Sequence, residues 1–310
     1  MQVIDAASLA SLTPYPALVS ALARGLALPV ESPARTHLDP TGAGDALLLM
    51  PAWRKGGLMG VKLVTAYPGN GALGLPAIAA SYTAFRHATG EVLAVIDGTE
   101  LTARRTAAAA ALGAQWLARA DARRLLIIGT GALSAPLARA HYAVMPGLRE
   151  VRVWGRVGAK AARIAELLSM EGITAAPAGA LAGEVAEADV IVAATTAARA
   201  FIAADWVRPG AHLGLVGAFT PAMAEAEPAL MPRAALWADD RDAVLAKGGE
   251  VTQAIAQGLI GPEAVRGDLT SLARDGRPAR QEGEITVFKS VGFAALDLIA
   301  AELALGMLPG

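Results

Sequence analysis

The chain has 310 residues, a formal net charge of −1 at pH 7, 54% hydrophobic residues and no cysteine. That length accommodates two domains with a core each, the balanced charge argues against a polyanionic partner such as nucleic acid, and the missing cysteine excludes disulfides, thiolate catalysis and cysteine-ligated metal. Much of the apolar excess is alanine, and Met1-Gln-Val-Ile-Asp5 shows no basic region followed by an apolar one, so a cytoplasmic protein without an export signal is expected.

In chain order, the first predicted helix covers residues 15–28, with Thr13 as N-cap and Pro14 in its first turn. Residues 30–40 read as an extended segment closed by a turn at Asp39-Pro-Thr-Gly42. Strands are expected at 46–50, 60–65, 77–86 and 92–96, the last two joined by the turn His87-Ala-Thr-Gly90. Four strands without intervening helices imply a mostly antiparallel sheet. Residues 63–85 carry no charge, but Pro68, Gly69, Asn70, Gly71, Gly74 and Pro76 interrupt the run too often for a membrane span. An alanine-rich helix at 99–117 and a short link at 120–123 follow.

The next stretch, Arg124-Leu-Leu-Ile-Ile-Gly129-Thr-Gly131-Ala-Leu-Ser134, has the form of a buried strand, a glycine turn and the opening of a helix. Gly129 and Gly131 let the backbone approach a pyrophosphate, and a helix starting near Ala132 would aim free N–H groups and its positive dipole end at it. Ser134 stands where the usual fingerprint has a third glycine. Alternation then continues: helix 132–144, strand 151–154, helix 159–170, strands 190–194 and 212–216, a helix near 222–230, a strand at 235–238 and helices through 273. This is the pattern of a doubly wound parallel sheet. The polar stretch 275–283 marks a crossing point, past which a strand from 285 and an apolar helix at 293–305 read as a return to the first domain. The expected fold is α/β: a Rossmann domain, residues 120–283, inserted into an α+β domain formed by residues 1–119 plus 284–310.

The second Rossmann strand ends Val151-Arg-Val-Trp154-Gly155-Arg156, where an acidic residue would bind the ribose 2′-hydroxyl of NAD. Arg156 stands there instead, with Lys160 a turn later, and a guanidinium pairs with the 2′-phosphate of NADP. The alternative is a solvated arginine at a strand end. Lysine occurs at only five positions, 55, 62, 160, 247 and 289, so Lys62 inside Gly-Val-Lys-Leu-Val needs a reason. It either guards an edge strand or points a charge into a cleft, to meet a carboxylate or transfer a proton. Arg105 falls near a helix N-terminus, a poor place for a cation unless an anionic ligand joins it. With Arg35 these residues could clamp a small carboxylate. His37 could line the cleft; it, His87, His141 and His212 lack metal-ligand spacing and are expected to be structural or surface residues. Thr195 and Thr196, after strand 190–194, lie where ligands bind in this fold.

Several motifs together resemble the ornithine cyclodeaminase/mu-crystallin family: Gly57-Leu-Met-Gly-Val-Lys62-Leu-Val-Thr-Ala-Tyr-Pro68-Gly-Asn70, Gly74-Leu-Pro, Thr89-Gly90, Asp97-Gly98-Thr99-Glu-Leu101-Thr102, Arg105-Thr-Ala-Ala and Gly129-Thr-Gly131-Ala. The likeness runs from about Arg35 to Ser290-Val-Gly292. It implies a homodimer whose first domain, closed by the C-terminal helix, binds substrate and dimerises. It implies that Arg35, Lys62 and Arg105 hold the substrate carboxylate, and that Gly129, Gly131, Ala132, Leu133, Arg156, Thr195 and Val291 contact the dinucleotide, NADPH first and NADH second.

One departure bears on activity. Cyclodeaminases and related alanine dehydrogenases of the family carry an acidic residue in a Gly-x-Asp-x-Pro segment, whereas this chain has Gly217-Ala218-Phe219-Thr220-Pro221. Phenylalanine does no acid or base work, so hydride transfer to a pre-formed carbon–nitrogen double bond is the expected chemistry, with Phe219 as an apolar wall and the proton coming from solvent, Lys62 or an already protonated imine. The wording resembles the branch reducing Δ1-pyrroline-2-carboxylate to L-proline, and Δ1-piperideine-2-carboxylate to L-pipecolate. The other readings are an alanine or N-alkyl amino acid dehydrogenase, an ornithine cyclodeaminase using a different base, or a non-catalytic binding protein of the mu-crystallin kind.

Overall fold

The structure, a computed structural model, describes residues 1–42 and 44–309. Its first elements are β1 (Gln2–Ile4), α1 (Ala6–Leu12), α2 (Tyr15–Leu26), β2 (Thr36–Leu38), β3 (Ala46–Trp53), β4 (Leu58–Ala66), β5 (Ile78–Arg86), β6 (Val92–Asp97) and α3 (Gly98–Leu117). The six strands form one sheet in the order β1-β6-β5-β4-β3-β2, antiparallel except where β1 runs parallel to β6. Neither β1 nor α1 was expected. Asp5 caps α1 by accepting from the Ser8 amide at 2.8 Å.

Thr13 does not cap α2. Its hydroxyl donates back to the Leu9 carbonyl at 2.6 Å and closes α1, and Pro14 begins α2 without a side-chain cap. Arg104 secures this corner, donating to the Thr13 carbonyl at 2.6 Å and lying 4.5 Å over the Tyr15 ring.

The chain continues with β7 (Arg124–Ile128), α4 (Ser134–Val144), β8 (Glu150–Trp154), α5 (Gly158–Met170), β9 (Ala175–Pro177), α6 (Leu181–Glu187), β10 (Val190–Ala193), β11 (His212–Leu215), β12 (Ala234–Ala238), α7 (Arg241–Lys247), α8 (Gly249–Ala256), β13 (Val265–Asp268), α9 (Leu269–Asp275), β14 (Ile285–Lys289) and α10 (Ala294–Ala304). Eight of these strands make a wholly parallel sheet ordered β13-β12-β14-β11-β10-β7-β8-β9, the Rossmann-like arrangement expected.

Two expectations fail here. The strand read as returning to the first domain, β14, sits between β11 and β12, and all five of its residues are buried, as a parallel strand covered on both faces requires. No α-helix forms near 222–230. Ile202 bridges to Ala226, and Pro228–Arg233 makes only a 3₁₀ turn, in keeping with Pro221, Pro228 and Pro232 spaced along this stretch.

By compactness the chain divides into Met1–Thr106 with Phe293–Gly310, and Ala107–Gly292. These limits differ from 119/120 and 283/284 because the later half of α3 belongs with β14. A Cβ on Gly113 would come within 2.8 Å of the Phe288 ring, and Ala107 to Ala111 are all fully buried, so small side chains let the helix lie close. Among the described residues no single helix is long and apolar enough to cross a membrane.

Candidate active site

In the first unit, β4 lies between β3 and β5, so Lys62 is no edge lysine. Alternation along the strand turns it inward with Leu58 and Gly60, and it is 1% exposed. Such a charge is tolerated only with partners. Its Nζ lies 2.9 Å from Asp297 Oδ1, and Arg105 Nε donates to the same oxygen at 2.9 Å. Burial and the neighbouring Arg105 push the Lys62 ammonium down to about 8, against the pull of Asp297; Arg35, half-buried ahead of β2, acts in the same downward direction.

Arg105 is two turns inside α3, beyond the reach of the helix dipole, so the expected N-terminal placement is replaced by a different reason for the cation: the carboxylate of Asp297. Tyr82, the register partner of Lys62 on β5, packs its ring over Gly60, where a Cβ would meet the hydroxyl at 2.0 Å. Burial raises the Tyr82 phenol well above its ordinary range, and both its hydroxyl and Asp297 Oδ2 are buried without a hydrogen-bond partner.

The histidines stay outside this arrangement. His37 is exposed on β2, and His87 accepts from the Gly56 amide at 3.4 Å in its turn. His141 and His212 are fully buried, with Nδ1 against the Leu137 carbonyl at 2.8 Å and the Thr286 hydroxyl at 2.9 Å.

The second unit carries a cleft of ≈ 610 Å³ at the carboxyl ends of β7, β8 and β10, bringing together Gly129, Gly131, Trp154, Arg156, Thr195 and Phe201. Gly129 has φ 125° and approaches β10 so closely that a Cβ would lie 2.6 Å from the Ala194 carbonyl oxygen. Gly131 differs: a Cβ there would enter open space, the room a pyrophosphate needs. Ser134 fits as the third small residue, its hydroxyl donating to the Gly129 carbonyl at 2.7 Å. Ala132 and Leu133 complete the loop into α4, whose first turn has no side-chain cap competing for its N–H groups.

Trp154 and Phe201 stack with centroids 6.3 Å apart, a flat apolar wall suited to a base. Arg156, Lys160 and Arg199 are exposed cations on the lining, and among the described residues no carboxylate lines it. The residues present therefore fit a phosphorylated dinucleotide.

Thr195 is held from below. Its amide and hydroxyl both donate to Glu225 Oε1, at 2.6 and 2.9 Å, while the Gly217 amide donates to Oε2 at 2.7 Å. Glu225 thus ties the end of β10 to that of β11, and the Thr195 hydroxyl expected to meet the cofactor is already engaged. Glu250 in turn accepts from the Glu225 amide at 2.7 Å and pairs with the buried Lys289 at 2.8 Å, a distance that makes an ion pair without hydrogen-bond alignment.

Val291 lies at the end of β14, buried and outside the cleft lining. Asp239 Oδ2 accepts from its amide at 3.0 Å, from Gly292 at 2.7 Å and from the Ser290 hydroxyl at 2.8 Å. Phe219, in the loop after β11, is 48% exposed and offers no acid or base.

A model of the ornithine cyclodeaminase/mu-crystallin family matches residues 7–305. The chain belongs to this family. Among its relatives is the Δ1-pyrroline-2-carboxylate reductase of Paracoccus denitrificans, 41% identical over 296 residues that make up 94% of this chain and 92% of the relative. The Thermococcus litoralis Δ1-pyrroline-2-carboxylate reductase, solved in complex with NADH and L-proline, superposes with a TM-score of 0.92 at 28% identity, over 99% of this chain and 97% of that one. An archaeal alanine dehydrogenase dimer with bound NAD does so at 0.90 and 27%, over 99% and 95%.

Against that family frame, sequence reasoning had overlooked Asp297, Tyr82, Glu225, Asp239, Phe201 and Arg199. Asp297 had a signal: it is an acid in the apolar run Phe293-Ala-Ala-Leu-Asp297-Leu-Ile. The others carry no local signature.

Proposed function

We propose that this member of the ornithine cyclodeaminase/mu-crystallin family is an NAD(P)H-dependent reductase that converts Δ1-pyrroline-2-carboxylate to L-proline, with Δ1-piperideine-2-carboxylate to L-pipecolate as the six-membered counterpart. The observation that carries this is the buried pair Lys62 and Arg105 around a single carboxylate oxygen, in a chain that also holds an uncapped glycine turn lined by cations. One internal anion does not neutralise two buried cations, so the clamp attracts a further carboxylate.

Lys62, Arg105 and Arg35 hold the substrate carboxylate. The dinucleotide, when bound, supplies hydride for the carbon–nitrogen double bond. Gly129, Gly131, Ala132 and Leu133 receive its pyrophosphate, Arg156 its 2′-phosphate, and Thr195 and Val291 shape the strand ends beyond. Lys62, ionising at about 8, provides a proton for the ring nitrogen. Phe219 gives an apolar wall and cannot activate water, which disfavours cyclodeamination.

The assembly we propose is a homodimer. The outward face of the first sheet gathers Leu49, Trp53, Met59, Leu63, Phe85 and Val95, apolar and only partly covered, and a second copy suits such a surface. The proposed location is the cytoplasm.

The deciding assay follows loss of nicotinamide absorbance with NADPH and Δ1-pyrroline-2-carboxylate, beside ornithine with NAD and a substrate-free control. Imine-dependent oxidation yielding proline is expected. Ammonia release from ornithine, or no turnover of either ring size while NADPH still binds, would overturn the assignment.

A further inference from the structure

Asp297 is fully buried and is the only carboxylate hydrogen-bonded to either clamp cation among the described residues. Both bonds fall on Oδ1. Lys62 uses one of its three donors there and Arg105 one of its five, so most of their capacity remains for a ligand. We propose that Asp297 is a positioning residue: by sharing one oxygen between Lys62 and Arg105 it keeps the lysine charged and aimed, so that Lys62 has a proton to give to the ring nitrogen. This rests on the reductase reading for the identity of the ligand, but not for the titration.

The charges facing Lys62 come from each element packed around it. Arg105 on α3 and Arg35 before β2 disfavour its charge, Asp297 on α10 favours it, and burial opposes it more than any of these. Tyr82, facing it from β5, is held neutral. Glu302, one helical turn past Asp297, is neutralised by Arg54 at 2.8 Å and so contributes little field. Removing the Asp297 charge therefore leaves two buried cations to repel, and the one able to shed its charge is the lysine.

In the reaction the C=N π bond breaks as the C–H bond forms with hydride from the reduced nicotinamide. The nitrogen lone pair so released takes one proton from the Lys62 ammonium. Lys62 is left as a neutral amine and regains its proton from water. Asp297, 2.9 Å from the Lys62 nitrogen, favours that return.

The test uses the full-length chain with NADP present and pyrrole-2-carboxylate, a flat five-membered carboxylate with no imine to reduce, titrated calorimetrically across pH. Native affinity should fall as pH rises through about 8, where Lys62 loses its proton. In Asp297→Asn that midpoint should move down by about 1–3 pH units, the effect of removing an opposite charge at contact distance. A uniform loss of affinity at every pH with an unmoved midpoint, or no binding of the probe by the native chain, overturns the proposal.

Lys62→Arg supplies the outcome if the asparagine variant does not fold. Arginine does not titrate in this range, so the limb should vanish, and a limb persisting there refutes the assignment. Titration behaving as stated in a protein that fails to turn over the imine would leave the proposal standing and remove only the reductase reading.

Discussion

The two units hold positive charge in opposite ways. Lys62 and Arg105 are buried and meet on an internal carboxylate, whereas Arg156, Lys160 and Arg199 stand exposed along a cleft that, among the described residues, no carboxylate lines. A cation taken out of water must bring a counter-ion or lose its charge; a solvated cation can wait for its ligand. The first arrangement is therefore preorganised and insensitive to salt. The second is adaptable and screened by it.

The strongest way to break this comparison is at the buried pair. Arg105→Ala should reduce kcat/KM by about 2–5 kcal/mol of transition-state binding, since Asp297 then neutralises Lys62 alone and the surplus positive charge that draws the substrate carboxylate is gone, while NADPH affinity measured by fluorescence stays as it was. If nucleotide binding is lost and substrate kinetics are unchanged, the clamp has been placed on the wrong residue.

The glycine turn comes next. Gly129→Ala should destabilise the protein by about 1–3 kcal/mol in urea unfolding, because its φ and the nearby Ala194 carbonyl leave no relaxed place for a methyl group. Gly131→Ala should leave the unfolding midpoint alone and weaken NADPH instead. Equal behaviour of the two variants would contradict the division between structural and ligand-facing glycine.

On the exposed side, Arg156→Ala should weaken NADPH by about 1.5–3 kcal/mol and NADH far less, a difference that shrinks as salt is added. Equal losses for both dinucleotides would show that Arg156 does not meet the 2′-phosphate.

The last effect, absent at neutral pH, concerns the buried histidines. Burial lowers His141 to about 4 and His212 to about 3, so both are neutral in the fold, while the unfolded chain takes up protons near the ordinary 6.5. The unfolded state thus binds more protons as the medium acidifies. Stability is undiminished above pH 6.5 and falls below it by about 1.4 kcal/mol per pH unit for each histidine. Flat stability from pH 6.5 to 5 would mean that the rings gain a partner on protonation.

Where chemistry and local sequence coincide, the reading from residues held. The strand before Gly129 and the turn that follows it depend on a few consecutive side chains and their period. What was lost depends on distant partners. β14 looked like any short apolar strand, and only the vacancy between β11 and β12 gives it a place. Asp297 is 235 residues from Lys62, and nothing near either one announces the other. Thr13 had two helices to serve, and its hydroxyl closed the earlier one.

The position of β14 has a consequence for biosynthesis. An interior strand of the parallel sheet is the last of its strands to leave the ribosome, and until residue 289 has emerged β11 and β12 present open edges to each other and to other chains. The nascent chain must therefore keep those edges apart from the emergence of β12 until that of β14, and the sheet closes late, by inserting a strand rather than by adding one at its margin. A stop codon shortly before residue 285 would leave an aggregation-prone product even though the whole glycine turn and its cleft had already been made.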